Sequence, residues 1–180
     1  ANGWKVIQVR HGLKRLAMFE KVGDDLREIV ERLTDFELQT LLTKSDGATV
    51  RKRLIEINPS FKTRLKDYSD EEMRVALEDL GGHDIQVLSE ALESSRHSSQ
   101  PTLVIAHTVK GWGIPTLKAK TGNHSMLPDQ PEVDALRENQ KIPADDLFAT
   151  YSENSTEGKF LSARGEYLRK GRDEQFELKK

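Results

Sequence analysis

The sequence predicts an α/β fold in which parallel strands with flanking helices are interrupted by a helix-rich insertion. Three observations carry that expectation. Two short β-type runs, "WKVIQV" from Trp4 and "PTLVIAHT" from Pro101, stand far apart in the chain. The tract between them, residues 11 to 80, follows helical spacing. A compact helix-to-strand unit then leads into the second run, which is half of a parallel crossover.

Each element has its own reason. The first run alternates large apolar with polar groups from Trp4 to Val9, which suits a strand with one covered face. The second is a continuous β-branched run behind Pro101, the pattern of a strand buried on both faces. Leu26, Ile29, Val30 and Leu33 fall at helical spacing. Thr34 with Glu37 forms a capping-box signature ahead of Leu38, Leu41 and Leu42, and Ser69 with Glu72 repeats it ahead of Met73 and Leu77. In "LGGHDIQVLSEALESSRHSSQPTLVIAHT", Gly81 and Gly82 permit a turn and Asp84 caps the next helix. Ile85, Leu88 and Leu92 are the expected apolar face of that helix. "QPEVDALRENQKIP" reads as a short helix from near Pro131 to before Pro143, and the C-terminal stretch as one more charged helix with a polar tail.

Composition excludes several classes of function. With 28 Lys+Arg against 30 Asp+Glu the net charge is -2, so no strong field favours nucleic acid or an anionic membrane surface. No apolar run approaches the ~20 residues that cross a bilayer, and "ANGWKVIQVRHG" has no signal-peptide layout, so a cytoplasmic protein is expected. The absence of cysteine removes disulfides, thiolate metal sites and cysteine nucleophiles. At 180 residues with 36% hydrophobic content the chain suffices for one domain or part of one. Two strands are too few for an independent doubly wound domain, so either the strands pair with segments absent from this chain or the 180 residues are a cut piece of a larger enzyme.

The chemistry concentrates in "TLVIAHTVKGWGIPTLKAKTGNHSML", Thr102 to Leu127. An apolar run ends in His107, Thr108 and Lys110, then passes Gly111, Gly113 and Gly122 to a lone His124. A strand whose C-terminal end helps to build a site has that succession of residue types. Read without a site, Lys110 is a solvated lysine in a strand-to-loop turn and His124 a loop histidine. His83 reads as a turn residue beside the Asp84 cap, Trp4 and Trp112 as packing residues, and His107 is left unassigned.

In order along the chain, "NGWKVIQVRHG", "KSDGATVRKRL", "LGGHD", "PTLVIAHTVKGWG", "NHS", "LRENQKIPADDL" and "FLSARGEYLRKG" resemble the landmarks of one enzyme group. These are the homodimeric, bacterial-type pyruvate dehydrogenase decarboxylase components, within the transketolase-like thiamine diphosphate family. "NGW", "GGHD" and the glycine-containing strand end before a histidine loop are also similar to transketolase itself. Lys110 in "HTVKGWG" favours the pyruvate dehydrogenase type, while Met126 to Asp129 after His124 is closer to a transketolase histidine loop.

The resemblance implies an interior segment of the family's N-terminal, diphosphate-binding domain. Residues 1–150 would be the C-terminal part of that domain, with a helical segment at about 11–80, and 151–180 a helix and linker toward the next domain. The implied activity is pyruvate decarboxylation and reductive acetylation of a lipoyl group on a partner acyltransferase, by a homodimer acting on a small-molecule 2-oxo acid. The alternatives are ketol transfer, or a non-catalytic interaction module that keeps the fold. The implied cofactors are thiamine diphosphate and Mg2+, held by a Gly-Asp-Gly motif and a downstream Asn that the resemblance puts before residue 1. The only "DG" here, Asp46-Gly47, sits in the helical tract, so no metal ligand is assigned. Lys110 is the implied cation for the substrate carboxylate or cofactor phosphates, and is both a catalytic and a cofactor-binding candidate. His124 is the implied proton carrier in acyl transfer, on a loop from Ile114 to Pro128 expected to order as the site closes.

Overall fold

A computed structural model describes residues 2–43, 46–146 and 148–179. Lys44 and Ser45 of "KSDGATVRKRL", Leu147 of "LRENQKIPADDL" and the Leu42 side chain lie outside the described residues. The chain runs through β1 (Lys5–Val9), α1 (Leu13–Val22), α2 (Asp24–Arg32), α3 (Asp35–Thr43), α4 (Gly47–Ile57), α5 (Phe61–Arg64) and α6 (Asp70–Glu78). A 3-10 turn at Gly81–His83 follows, then α7 (Ile85–Arg96), β2 (Thr102–Ala106), α8 (Gln130–Asn139) and α9 (Thr156–Glu177). Two compact units result, Ala1–Pro128 and Asp129–Lys180, a division by compactness and not by the family-domain boundary expected at 150.

In the first unit β1 and β2 pair in parallel, with Lys5 opposite Thr102 and Val9 opposite Ala106. Helix α7 packs on both strands as the crossover, and Lys5 Nζ reaches Ser94 Oγ on it at 3.4 Å. On that side Lys5, Ile7, Val9, Thr102 and Val104 are half-buried or buried, and Ala106 at the strand end is exposed. On the other side Val6, Leu103 and Ile105 remain 52%, 47% and 40% exposed, so β2 is not buried on both faces as its sequence suggested. The cause is topological, because among the described residues one helical layer covers a sheet of two strands. The expected face of α7 narrows for the same reason: Ala91 is buried, whereas Ile85 and Leu92 reach past the strip that two strands offer. Trp4 is also exposed and packs little.

The helical tract supplies the core. Met18, Phe19 and Val22 of α1, Leu26 and Val30 of α2, Val50 and Leu54 of α4, and Met73 and Leu77 of α6 are all buried together. Both expected capping boxes are present. Thr34 N–H donates to Glu37 at 2.9 Å and Glu37 N–H to Thr34 Oγ1 at 3.3 Å, and Ser69 and Glu72 exchange the same pair of bonds before α6. Asp46 of the lone "DG" caps α4 by accepting from the Thr49 amide at 2.7 Å.

Helix α1 is capped from elsewhere in the chain. Its N-cap is Gly12, which brings no side chain, so the Leu13 and Lys14 amides donate to Asp84 and Asp79, each at 2.8 Å. The two carboxylates lie 65 or more residues away in sequence, so this cap exists only in the folded chain. A Cβ at position 12 would stand 2.3 Å from Asp79 Oδ2, so a side chain there would have to push the Asp79 carboxylate away from the Lys14 amide.

In the second unit α8 starts with a capping box between Asp129 and Glu132 and carries Pro131 in its first turn. Helix α9 is N-capped by Ser155 and extends over 22 residues, through most of the stretch expected to be a polar tail. No proline interrupts Thr156 to Glu177, and its lysines, glutamates and arginines favour the helix.

Replacing Gly12 with alanine should expel the Asp79 carboxylate and strip the Lys14 amide of its acceptor. The expected loss is ~1 kcal/mol, read as a lower urea midpoint at unchanged slope. Gly165→Ala, in an open position of α9, should instead stabilise its helix by about 0.5–1 kcal/mol, read as increased helical signal on thermal unfolding.

Candidate functional site

The C-terminal ends of β1 and β2 converge on the Gly81–His83 turn. Val9 C=O accepts from the His107 amide at 3.0 Å, and His107 C=O accepts from the Gly82 amide at 2.9 Å. A Cβ on Gly82 would lie 2.5 Å from that same carbonyl oxygen and 2.6 Å from Thr108 Cγ2, so only glycine lets this backbone seat against the strand end. His83, the next residue, therefore stands directly over the chain that leaves β2.

That exit segment is held at each step. The Val109 amide donates to His83 Nε2 at 2.8 Å, and Val109 packs against the helical core. The Trp112 ring stacks on the His83 ring with centroids 4.3 Å apart and planes 10° from parallel. Lys118 forms an ion pair with Glu78 at 2.9 Å, which ties the far end of the segment to α6. Leu117 is buried, so the expected loop from Ile114 to Pro128 has an apolar anchor that its composition hid.

Lys110 and His124 are brought together by this scaffold. Lys110 C=O accepts from the Ala119 amide at 2.9 Å and from Asn123 Nδ2 at 3.2 Å, which folds the segment back on itself. Lys110 Nζ then lies 3.0 Å from His124 Nδ1. The ammonium has only protons to give, so Nδ1 must be the acceptor and the neutral ring keeps its proton on Nε2. Both side chains are exposed, at the mouth of the strand ends and not in an enclosed pocket. The arrangement offers a cation beside a proton-transfer group, suited to an anionic ligand.

Of the remaining candidates, His107 is half-buried and takes part through its backbone. Trp112 packs one ring face on His83 while 47% of its surface stays exposed. Asn123 was not singled out in the sequence, although it sits beside His124; its side chain bridges the Lys110 and Leu117 carbonyls. His83 was read as a turn residue, and its bond to Val109 depends on a contact between residues 26 apart. Among the described residues, no group of three or more His, Asp or Glu side chains could hold a metal ion, and no helix is long and apolar enough to cross a membrane.

Two histidines of the scaffold are electrostatically committed. His11 bonds through Nε2 to Glu31 at 3.0 Å and accepts at Nδ1 from Arg15 at 3.3 Å; burial holds its ring below the ordinary histidine range. Burial likewise lowers His83, whose Nε2 can receive the Val109 amide only while unprotonated. Arg15, buried in α1, donates to the Leu77 carbonyl, and burial pushes its guanidinium down to about 10.

Comparison with known proteins gives the chain a family and a set of relatives. The profile of a family described as "Transketolase, thiamine diphosphate binding domain" matches residues 55–180. The pyruvate dehydrogenase E1 component of Pseudomonas aeruginosa is 32% identical over 170 residues, 89% of this chain and 19% of that protein. That of Cupriavidus necator is 31% identical over 171 residues, 88% of this chain and 18% of that protein. That of Buchnera aphidicola from Schizaphis graminum is 37% identical over 115 residues, 62% of this chain and 12% of that protein. The chain spans about a fifth of the length of the curated relatives that it matches most fully.

The lowered histidines set a pH dependence. Between their folded values and the unfolded value near ~6.5, the unfolded chain binds more protons than the folded one, so stability rises with pH. Their contribution is complete above ~6.5 and is lost as pH falls through the folded values. The urea midpoint should therefore be flat from about pH 7 to 8 and decline below ~6.5, and His83→Gln, which removes one titrating ring, should make the decline shallower.

Proposed function

The chain belongs to the family of transketolase thiamine diphosphate-binding domains, and from that premise we propose that it is a segment of a 2-oxo acid dehydrogenase of the pyruvate dehydrogenase type. The whole protein decarboxylates pyruvate and transfers the acetyl group to a lipoyl group on a partner acyltransferase. It works as a homodimer in the bacterial cytoplasm, in pyruvate metabolism downstream of glycolysis. Residues 1–150 are the later part of the cofactor-binding domain and residues 151–180 lead toward the next one.

The observation that carries this reading is the 3.0 Å contact between Lys110 Nζ and His124 Nδ1, beyond the ends of two parallel strands. These are the two residues that the family resemblance singled out, and the fold closes the 14-residue gap between them. Ligands of open α/β sheets bind outside the carboxyl ends of the strands, which supports the same location.

The residues present fit one wall of the cofactor's site. An exposed ammonium at the strand ends suits a substrate carboxylate or a cofactor phosphate. A divalent cation does not fit among the described residues, so the magnesium ion of this reading takes its ligands from outside them. Bound thiamine diphosphate supplies the carbanion chemistry. What this segment contributes is charge and a proton. Lys110 holds the anionic end of the substrate as a point charge, in a site that gains strength as water is excluded. His124 delivers its Nε2 proton during transfer to the acceptor as Nδ1 takes one from the Lys110 ammonium, so the ring stays neutral. The segment from Ile114 to Pro128, anchored at Leu117, orders over the substrate as the site closes.

In the intact protein, Lys110→Met should lower kcat/KM for the 2-oxo acid on the order of ten- to a hundredfold, with folding nearly unaffected. His124→Ala should slow the overall reaction with the lipoyl acceptor more than it slows decarboxylation followed with an artificial electron acceptor. Unchanged kcat/KM in a folded Lys110→Met protein would overturn the role given to the pair. Ketol transfer between sugar phosphates without pyruvate decarboxylation would overturn the pyruvate dehydrogenase assignment in favour of the transketolase-like alternative.

A further inference from the structure

Lys110 does not hold itself in place. Its ammonium ends a flexible four-carbon stem, and the residue follows β2 by four positions, beyond the last strand bond. What limits its direction is the backbone on either side. Ahead of it, the Val109 amide is spent on His83 Nε2 at 2.8 Å. Behind it, the Trp112 ring lies on the same imidazole, 4.3 Å away. One histidine thus grips the chain both before and after Lys110.

The grip is transmitted from the core. Leu80 is buried in the helical cluster, Gly82 is bonded to the His107 carbonyl, and His83 follows without an intervening residue. The sequence distance between His83 and Val109 is 26 residues, so no local turn preference can substitute for the contact. On the other side of the segment, Lys118 lies 6.0 Å from the Trp112 ring and is paired with Glu78. The indole therefore has the imidazole on one face and a tethered cation in its neighbourhood.

We propose that His83 is the positioning residue of the Lys110–His124 pair: its Nε2 and its ring face hold residues 109–112 in the one conformation that aims Lys110 at His124. Its importance for catalysis rests on the function proposed above, but the positional role is separately measurable. The two parts of the grip can be separated chemically. His83→Phe keeps an aromatic face for Trp112 and removes the acceptor. His83→Gln keeps an acceptor oxygen near the position of Nε2 and removes the aromatic face. Loss of the acceptor leaves the half-buried Val109 amide without its partner, and that is the part that matters for the backbone.

The test uses the intact protein with amide exchange and kinetics read on the same variants. In His83→Phe, exchange of the Val109 amide should accelerate at least about tenfold while the Leu13–Val22 helix keeps its protection. In His83→Gln, Val109 exchange should stay near that of the parent protein. Kinetically, His83→Phe should lower kcat/KM about tenfold, His83→Gln should restore most of it, and His83→Phe should cost little further once Lys110→Met is present. A general structural defect would multiply through the Lys110→Met background instead.

Parent-like Val109 exchange in a folded His83→Phe protein would overturn the proposal, as would loss of Val109 protection in a folded His83→Gln protein. Equal losses from His83→Phe with and without Lys110→Met would overturn it too. If His83→Phe fails to fold, the His83→Gln exchange result decides alone. If the protein does not decarboxylate a 2-oxo acid, the proposed function fails, whereas the Val109 exchange result still decides the positional role.

Discussion

The seating of Gly82 against the His107 carbonyl is the contact on which the rest of the first unit depends. It is a backbone-to-backbone bond of 2.9 Å, at a spot where a Cβ would come within 2.5 Å of the acceptor. Through it the turn after α6 is pinned to the end of β2, and the same turn carries the Asp84 that caps both α7 and, through the Leu13 amide, α1. Two hydrogen-bonding centres two residues apart in the chain, at Gly82 and Asp84, therefore join the helical core, the strand pair and the exit segment. A side chain at Gly82 would pry these three apart together, because the close-packed interior has no slack to absorb the shift.

Charge in this chain is used chiefly to satisfy backbone groups. Asp46, Asp79, Asp84 and Asp129 all accept from amides at helix starts, where orphan donors and the helix dipole favour a carboxylate. Arg51 of α4 serves the opposite end of the problem, reaching the Leu65 carbonyl at 2.8 Å and the Tyr68 carbonyl at 2.5 Å in the stretch that precedes α6. Arg64 and Asn58 both converge on Asp25, at 2.5 and 2.9 Å. The exposed i,i+3 and i,i+4 ion pairs on the helix surfaces add little beside these, since solvent screens them. The charged content that looked like solvated surface is in good part the cement of the turns.

The uncovered sheet face bears on how the segment works. Val6, Leu103 and Ile105 form a contiguous apolar strip beside Trp4, and a parallel pair with one bare face is not a stable stopping point for a sheet. On the proposed reading, further layers of the same domain cover it, and Lys110 acquires its low-dielectric surroundings from them. The local geometry of the pair is nonetheless set within this unit, by the His83 grip, the Asn123 bridge and the Lys118–Glu78 tether.

What the amino-acid order determined by itself is local. Period, caps and turn residues specify α2, α3, α6, α7, α8 and both strands and mark the rest of residues 11–80 as helical, because these signals rest on contacts among residues three or four apart or on alternation along one strand. Lys110 and His124 became candidates through the family resemblance of "HTVKGWG" and "NHS", because by residue type alone a lysine in a strand-to-loop turn and a loop histidine are ordinary. The tertiary structure decided everything that spans sequence distance. It chose Ala91 over Ile85 as the buried contact of α7, exposed one face of β2, supplied α1 with two distant caps, and turned His83 from a turn residue into the clasp on Val109 and Trp112. These outcomes depend on which surfaces meet, and a hydrogen bond across 26 or 71 residues leaves no period or spacing in the chain from which it could be read.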